Sequence, residues 1–232
     1  MVSEKGRSCS CAQCEFCNIM ISCFDEKIMG ELYGYKEEQS FKKGEIINLE
    51  KNRIGHFKYL KKGIVKLYRS PSDADEQIIT ITRPYDFISN MSVFSEDKYQ
   101  YSVSALEDSV VCAIELDFIK RLCLKQGKFA MELLSRISMI SNKIITQTLD
   151  LRQKNLSGRV AYVLLLFLHE IFKSKVFEVP VSRKEIAGFI GMSSANVIRT
   201  LSDFKRAGII KIFGKRIEIV DLERLEVIEK RG

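Results

Sequence analysis

Val181-Ser182-Arg183-Lys184-Glu185-Ile186-Ala187 opens a stretch, residues 181–208, whose reading decides the architecture. Ser182 followed three residues later by Glu185 is a capping box: the hydroxyl accepts from the third helical N–H while the glutamate accepts from the serine N–H. A helix therefore begins there, with Ile186, Ala187 and Ile190 on one apolar face. Gly191-Met192-Ser193 breaks it with the short glycine turn of a helix-turn-helix. The second helix runs from about Ser194 to Ala207, with Val197, Leu201 and Phe204 inward, and Gly208 stops it. Beyond it, Ile209 to Phe213 and Arg216 to Val220 flank Gly214-Lys215 as a hairpin wing.

The outward face of that second helix carries Ser194, Asn196, Arg199, Ser202 and Lys205. Such a face can enter the major groove and meet base edges, while helix N-termini and neighbouring cations, here Ser182, Arg183 and Ser193, hold phosphates. Arg199 has the planar fork that grips guanine through O6 and N7. A solvated face on a generic helical hairpin would show similar residues. The joint occurrence of cap, glycine turn, second helix and wing favours double-stranded DNA.

Upstream, residues 41–114 read as short strands with turns between them. The strands are Glu45 to Leu49, Phe57 to Leu60, Ile64 to Arg69, Gln77 to Thr82 and Ser109 to Ile114. Their separators hold the glycine, proline and aspartate that tight turns need, which gives a small antiparallel roll. From Phe129 the period changes: Leu133, Ile137, Ile140, Ile144 and Leu151 recur in steps of three and four, with Gln147 filling the gap. This heptad-like row reads as a dimer seam, with an amphipathic helix packed on its own domain as the alternative. The predicted organisation is α+β in four parts: a cysteine-rich segment (1–24), a β-roll (25–125), a long dimerisation helix (126–156) and a winged helix-turn-helix (157–232).

Composition agrees with a polyanionic partner. The net charge is +7, and residues 157–232 hold 14 Lys and Arg against nine Asp and Glu, a surplus of five. The longest apolar run, Val160 to Leu168, is far short of the ~20 residues that span a bilayer. The polar start lacks a secretory core, so a cytoplasmic protein with no membrane partner is expected.

The order of β-roll, long helix and winged reading head resembles the Crp/Fnr family of bacterial transcription regulators. The resemblance covers nearly the whole chain. It is carried by Tyr59-Leu60-Lys61-Lys62-Gly63-Ile64-Val65-Lys66 and Asp86-Phe87-Ile88 in the roll, and by Ile186 to Gly191 and Asn196 to Leu201 in the head. It implies a homodimer along the long helix, a pseudo-palindromic DNA site, RNA polymerase as a further partner, and no enzymatic activity. The family arginine is present as Arg199. The glutamate that many members place four residues before it is Ala195, and the small residue just before it is Ile198, so the family's usual operator is not assumed.

Cyclic-nucleotide-binding members hold the phosphate with an arginine beside a serine and the ribose with a glutamate. This chain has Gln100-Tyr101 and Asn90 at those places, which argues against a cyclic nucleotide because the phosphate loses its charge partner. Five of seven cysteines fall in the first 23 residues, a pattern of metal or redox chemistry rather than a disulfide framework in a cytosolic chain. Cys14-x2-Cys17-x5-Cys23 sets three thiolates on one segment, and with Cys112 they resemble the ligands of the oxygen-sensing Fnr subgroup. The resemblance implies a 4Fe-4S cluster on Cys14, Cys17, Cys23 and Cys112. Zinc on the same thiolates, reversible disulfide chemistry, or an unligated N-terminal tail with another effector or none are the alternatives. A small electron-transfer protein or a protein-binding adaptor are the rival classes; no glycine-rich nucleotide loop or nucleophile–base pair supports an enzyme.

Overall fold

The computed structural model describes residues 26–70, 76–84, 86–88 and 90–232. Cys9, Cys11, Cys14, Cys17 and Cys23 lie outside the described residues.

Helix α1 (Glu26–Gly34) leads into eight strands: β1 (Lys36–Phe41), β2 (Ile46–Asn48), β3 (His56–Lys62), β4 (Val65–Arg69), β5 (Gln77–Thr82), β6 (Phe87–Ile88), β7 (Ser102–Ala105) and β8 (Ser109–Glu115). A one-turn helix, α2 (Asn90–Val93), joins β6 to β7. The strands form two four-stranded sheets in the orders β1-β8-β3-β6 and β2-β7-β4-β5. β8 runs antiparallel to β1 and β3, and β7 antiparallel to β2 and β4, as a roll requires. The β3–β4 turn needs Gly63: its φ is +96°, and a Cβ there would overlap the Ser109 side chain. β1, β6 and β7 were not anticipated from the sequence.

The pleat of β3 separates two environments. Phe57 and Tyr59 enter an apolar cluster with Leu32 of α1, Cys112 and Ile114 of β8, and the helices that follow. Lys58 points the other way, and its ammonium donates to Ile47 O at 2.9 Å and Asn48 Oδ1 at 2.6 Å, tying one sheet to the other. Burial pulls the Lys58 pKa down from its ordinary 10.5 to about 8, against the opposing pull of Glu37. Between those values the unfolded chain binds the extra proton, so Lys58 makes the fold gain stability as pH rises from about 8 to about 10.5, by on the order of 3 kcal/mol. Lys58→Met should remove that gain. Denaturant titration of both proteins across this range, compared as a difference, checks it.

Two further helices complete the roll's cluster, α3 (Leu116–Lys125) and the 27-residue α4 (Gly127–Gln153). The described residues divide into two compact units, one holding 26–69 and 80–142 and the other 76–79 and 143–232. α4 contributes to both.

On α4 the row expected as a dimer seam is packed within the single chain. Leu133 is part of the roll's own cluster, and Ile137 and Ile140 pack against it. Ile144, Gln147 and Leu151, further along the same row, are buried too. The row read as a dimer seam is therefore the face that the chain covers itself. About 140° round the helix, at roughly 100° per residue, lies a second apolar row. Met131, Leu134, Ile145 and Leu149 are each 52–65% exposed there, with Ser138 and Asn142 between them.

The second unit holds α5 (Leu156–Leu166) continued by a π-helical turn (Phe167–Phe172), then β9 (Val176–Glu178), α6 (Arg183–Ile190), α7 (Ser194–Arg206), the hairpin β10 (Ile210–Phe213) and β11 (Arg216–Ile219), and α8 (Leu222–Arg231). β11 lies between β10 and β9, so the wing is a three-stranded sheet. No helix among the described residues is long and apolar enough to cross a membrane.

Candidate nucleic-acid interface

The reading head is held by local hydrogen bonds that the sequence makes inevitable. Ser182 Oγ accepts from Glu185 N at 3.1 Å and Ser182 N donates to Glu185 Oε2 at 2.7 Å, so the capping box is complete. Such a cap contributes about 1 kcal/mol. Gly191 ends α6 at φ +63°, in the left-handed region, with its N–H returned to Ala187 O. The glycine turn thus places α7 at a fixed angle after α6.

Arg159 completes that turn. Its guanidinium donates to Ile190 O at 3.1 Å, Gly191 O at 3.3 Å and Lys154 O at 2.9 Å, setting a cation on the carbonyls left over at the end of α6. Sequence reasoning did not single it out, because a cation 31 residues before its acceptor leaves no local signal.

α7 begins at Ser193, whose Oγ accepts from Asn196 N at 3.2 Å. Val197, Thr200, Leu201 and Phe204 are buried, which turns Ala195, Ile198, Arg199, Ser202 and Lys205 to solvent. Ser194 and Asn196 are half-buried at the margins. Arg199 Nη2 donates to Asn196 Oδ1 at 3.0 Å, so the carboxamide orients the guanidinium one helical turn from the start of α7. Ser202 Oγ is used within the helix, donating to Ile198 O at 2.9 Å. Ser182 and Ser193 likewise spend their hydroxyls on caps. Arg183 is half-buried at the start of α6, and burial holds its guanidinium below its ordinary value.

The structure therefore brings Ser194, Asn196, Arg199, Ser202 and Lys205 together on or beside one exposed helix face, and sets Ser182, Arg183 and Ser193 at the two helix starts. Among them Arg199 presents an exposed guanidinium held by a neighbouring side chain. Ile198, noted in the sequence only as a departure from the family pattern, is exposed beside it.

Of the expected metal ligands, Cys112 is the one described. It sits in the middle of β8, opposite Glu38 of β1 and Tyr59 of β3, and is 1% exposed in the cluster that also contains Leu32 of α1. Among the described residues no three His, Cys, Asp or Glu side chains gather as a metal site. Cys123, on α3, is half-buried against the same cluster, and burial raises its thiol pKa.

Two family patterns match the chain, a cyclic nucleotide-binding domain over residues 38–126 and a Crp-like helix-turn-helix domain over residues 158–228. The chain is 24% identical to the anaerobic regulatory protein of Haemophilus influenzae, over 96% of this chain and 90% of that one. It is 25% identical to the fumarate and nitrate reduction regulatory protein of Vibrio cholerae, over 100% of this chain and 98% of that one. The solved structure of FixK2 from Bradyrhizobium japonicum superposes with a TM-score of 0.76 at 22% identity, covering 84% of this chain and 97% of that one, a likeness of fold.

Proposed function

The chain belongs to the Crp/Fnr family of DNA-binding transcription regulators, and from that premise we propose that it works in the cytoplasm as a homodimer, reads a two-part operator with α7, acts with RNA polymerase, and senses oxygen through a 4Fe-4S cluster. The observation that carries the reading is the exposed Ala195–Lys205 face of α7, with Arg199 oriented by Asn196 behind a fully formed cap and turn. The homologous proteins are regulators, not enzymes.

In this reading the dimer forms along α4 through the Met131, Leu134, Ile145 and Leu149 row, which the chain leaves uncovered. An open apolar groove of about 310 Å³ beside Leu134, lined by Phe94, Cys123, Ala130 and Ile137, extends that row. The four-part organisation, 1–24, 25–125, 126–156 and 157–232, belongs to the same proposal.

The sensor proposal rests on the fit of Cys112. A thiolate suits a cluster where the surrounding wall is apolar and keeps water out. Cys112 is such a residue, and Leu32 of α1 packs in the same cluster. Cys23 precedes α1 by three residues, so the backbone tethers it within about 11 Å of Glu26. When bound, a 4Fe-4S cluster would supply an oxygen-labile bridge between thiolates. Cys14, Cys17, Cys23 and Cys112 would hold it, joining the N-terminal segment to the sheet on which α1, α3 and the first half of α4 pack. Zinc on the same thiolates is the outcome that iron and sulfide analysis would separate.

Arg199→Ala should weaken specific DNA binding by roughly 1–3 kcal/mol, because a bidentate base contact is lost while phosphate contacts survive. Affinity for random duplex should barely move. Titration of both duplexes at a fixed salt concentration is the test. An equal fall on both would make Arg199 a phosphate contact and remove the proposed reading face.

A further inference from the structure

α7 presents an uneven surface for a helix that enters a groove. Ala195, Ile198, Arg199 and Ser202 stand at i, i+3, i+4 and i+7, one contiguous patch at the centre of the exposed face. Two of the four are apolar. Ser202 donates its hydroxyl hydrogen to Ile198 O, so the patch offers Arg199 as its one charged reader, flanked by a methyl and a sec-butyl group. Ile198 is 53% exposed, while the packing of α7 on its own domain is made by Val197, Thr200, Leu201 and Phe204 on the opposite side. A β-branched apolar side chain there gains nothing from the fold, and Ile is a weaker helix former than Leu or Ala.

In the major groove one alkyl group is on display, the 5-methyl of thymine, among edges that are otherwise dominated by hydrogen-bond donors and acceptors. We propose that Ile198, with Ala195 beside it, contacts thymine methyl groups, making Ile198 a specificity-determining residue. The half-site then combines a guanine gripped by Arg199 with thymine one or two base pairs away. That distance follows from side chains about 5–6 Å apart on the helix and base pairs about 3.4 Å apart on the duplex. This inference rests on the reading of DNA by α7. It also says what replaces the hydrogen bonds that a glutamate at position 195 and a small polar residue at position 198 would make: methyl contact in place of polar readout.

The test uses the full-length protein, prepared without oxygen, to select duplexes from a random library. In the selected duplex each thymine is then replaced singly by deoxyuridine, which deletes the methyl and leaves every hydrogen-bonding group in place. Thymines within two base pairs of the shared guanine should lose roughly fourfold in affinity per buried methyl. Ile198→Ser, at an exposed position where folding is little affected, should make those positions indifferent to the change, while Ile198→Val should keep most of the response. A selected site without thymine within two base pairs of its guanine would overturn the proposal, as would deoxyuridine without effect or with the same effect in Ile198→Ser. Failure of the library to converge on any sequence would overturn the reading by α7 on which it depends, and Ile198 would be an ordinary surface hydrophobe.

Discussion

Leu134→Glu is expected to leave the protein monomeric if, as proposed, two chains pair along α4. Leu134 is more than half exposed in the single chain and stands in the row with Met131, Ile145 and Leu149, so the substitution disturbs little of the chain's own packing. In a parallel pairing along α4 the residue meets its symmetry mate or the mate's neighbours, and a carboxylate there is buried without a partner on both sides of the axis. Sedimentation should show half the mass. A monomer holds one half-site at a time and forfeits the effective concentration of the second head, so operator affinity should fall roughly 10²–10⁴-fold. Ile140→Glu makes the contrast: Ile140 packs on the roll's cluster, and a charge there should lower the thermal stability of the roll before it affects association. A Leu134→Glu protein that stays dimeric would place the interface off α4.

The contrast between those two residues also marks where the sequence stopped being informative. α4 has two apolar rows, and helical periodicity cannot tell the row a chain covers from the row a second copy would cover. Leu133, Ile137, Ile140, Ile144 and Leu151 make the more regular row, the first three of them on the roll's own cluster; Met131, Leu134, Ile145 and Leu149 are interrupted by Ser138 and Asn142 and read as surface. The reading head was legible almost to the residue, since Ser182, Glu185 and Gly191 act through local backbone geometry that spacing alone reveals. In the roll, β2, β3, β4, β5 and β8 were legible from apolar content and turn residues. β1, Lys36-Glu37-Glu38-Gln39-Ser40-Phe41, escaped because it lies at the edge of its sheet with mostly polar side chains. β7, Ser102-Val103-Ser104-Ala105, escaped because small residues carry weak strand propensity, although all four are buried between β2 and β4. Ile198 was visible in the sequence only as the absence of a family residue; its meaning came from exposure.

Cys112→Ala should abolish iron–sulfur assembly altogether. The thiol lies in β8 at 1% exposure, on the sheet against which α1 packs, and α1 follows directly on the segment that carries Cys14, Cys17 and Cys23. Alanine is the substitution the burial demands. A serine at this position would place a hydroxyl in an apolar cluster at a cost of about 1–3 kcal/mol, and loss of the chromophore could then reflect a loosened roll. Alanine removes the sulfur and leaves a void of one atom, so heat denaturation of the metal-free variant should stay close to that of the metal-free wild type. The experiment reconstitutes each protein with iron and sulfide in the absence of oxygen, and measures visible absorbance, bound iron and acid-labile sulfide, and then DNA binding. Wild type, Cys9→Ser and Cys11→Ser should each turn brown and bind about four irons. Cys112→Ala should do neither, and its operator affinity should match that of air-exposed wild type, because the tie from the N-terminal segment to β8 is missing in both. Zinc bound in place of iron and sulfide by the wild type would overturn the oxygen-sensing reading while leaving Cys112 a ligand. A Cys112→Ala protein with a full complement of iron and sulfide would remove β8 from the site and assign the fourth thiolate to Cys9, Cys11 or Cys123.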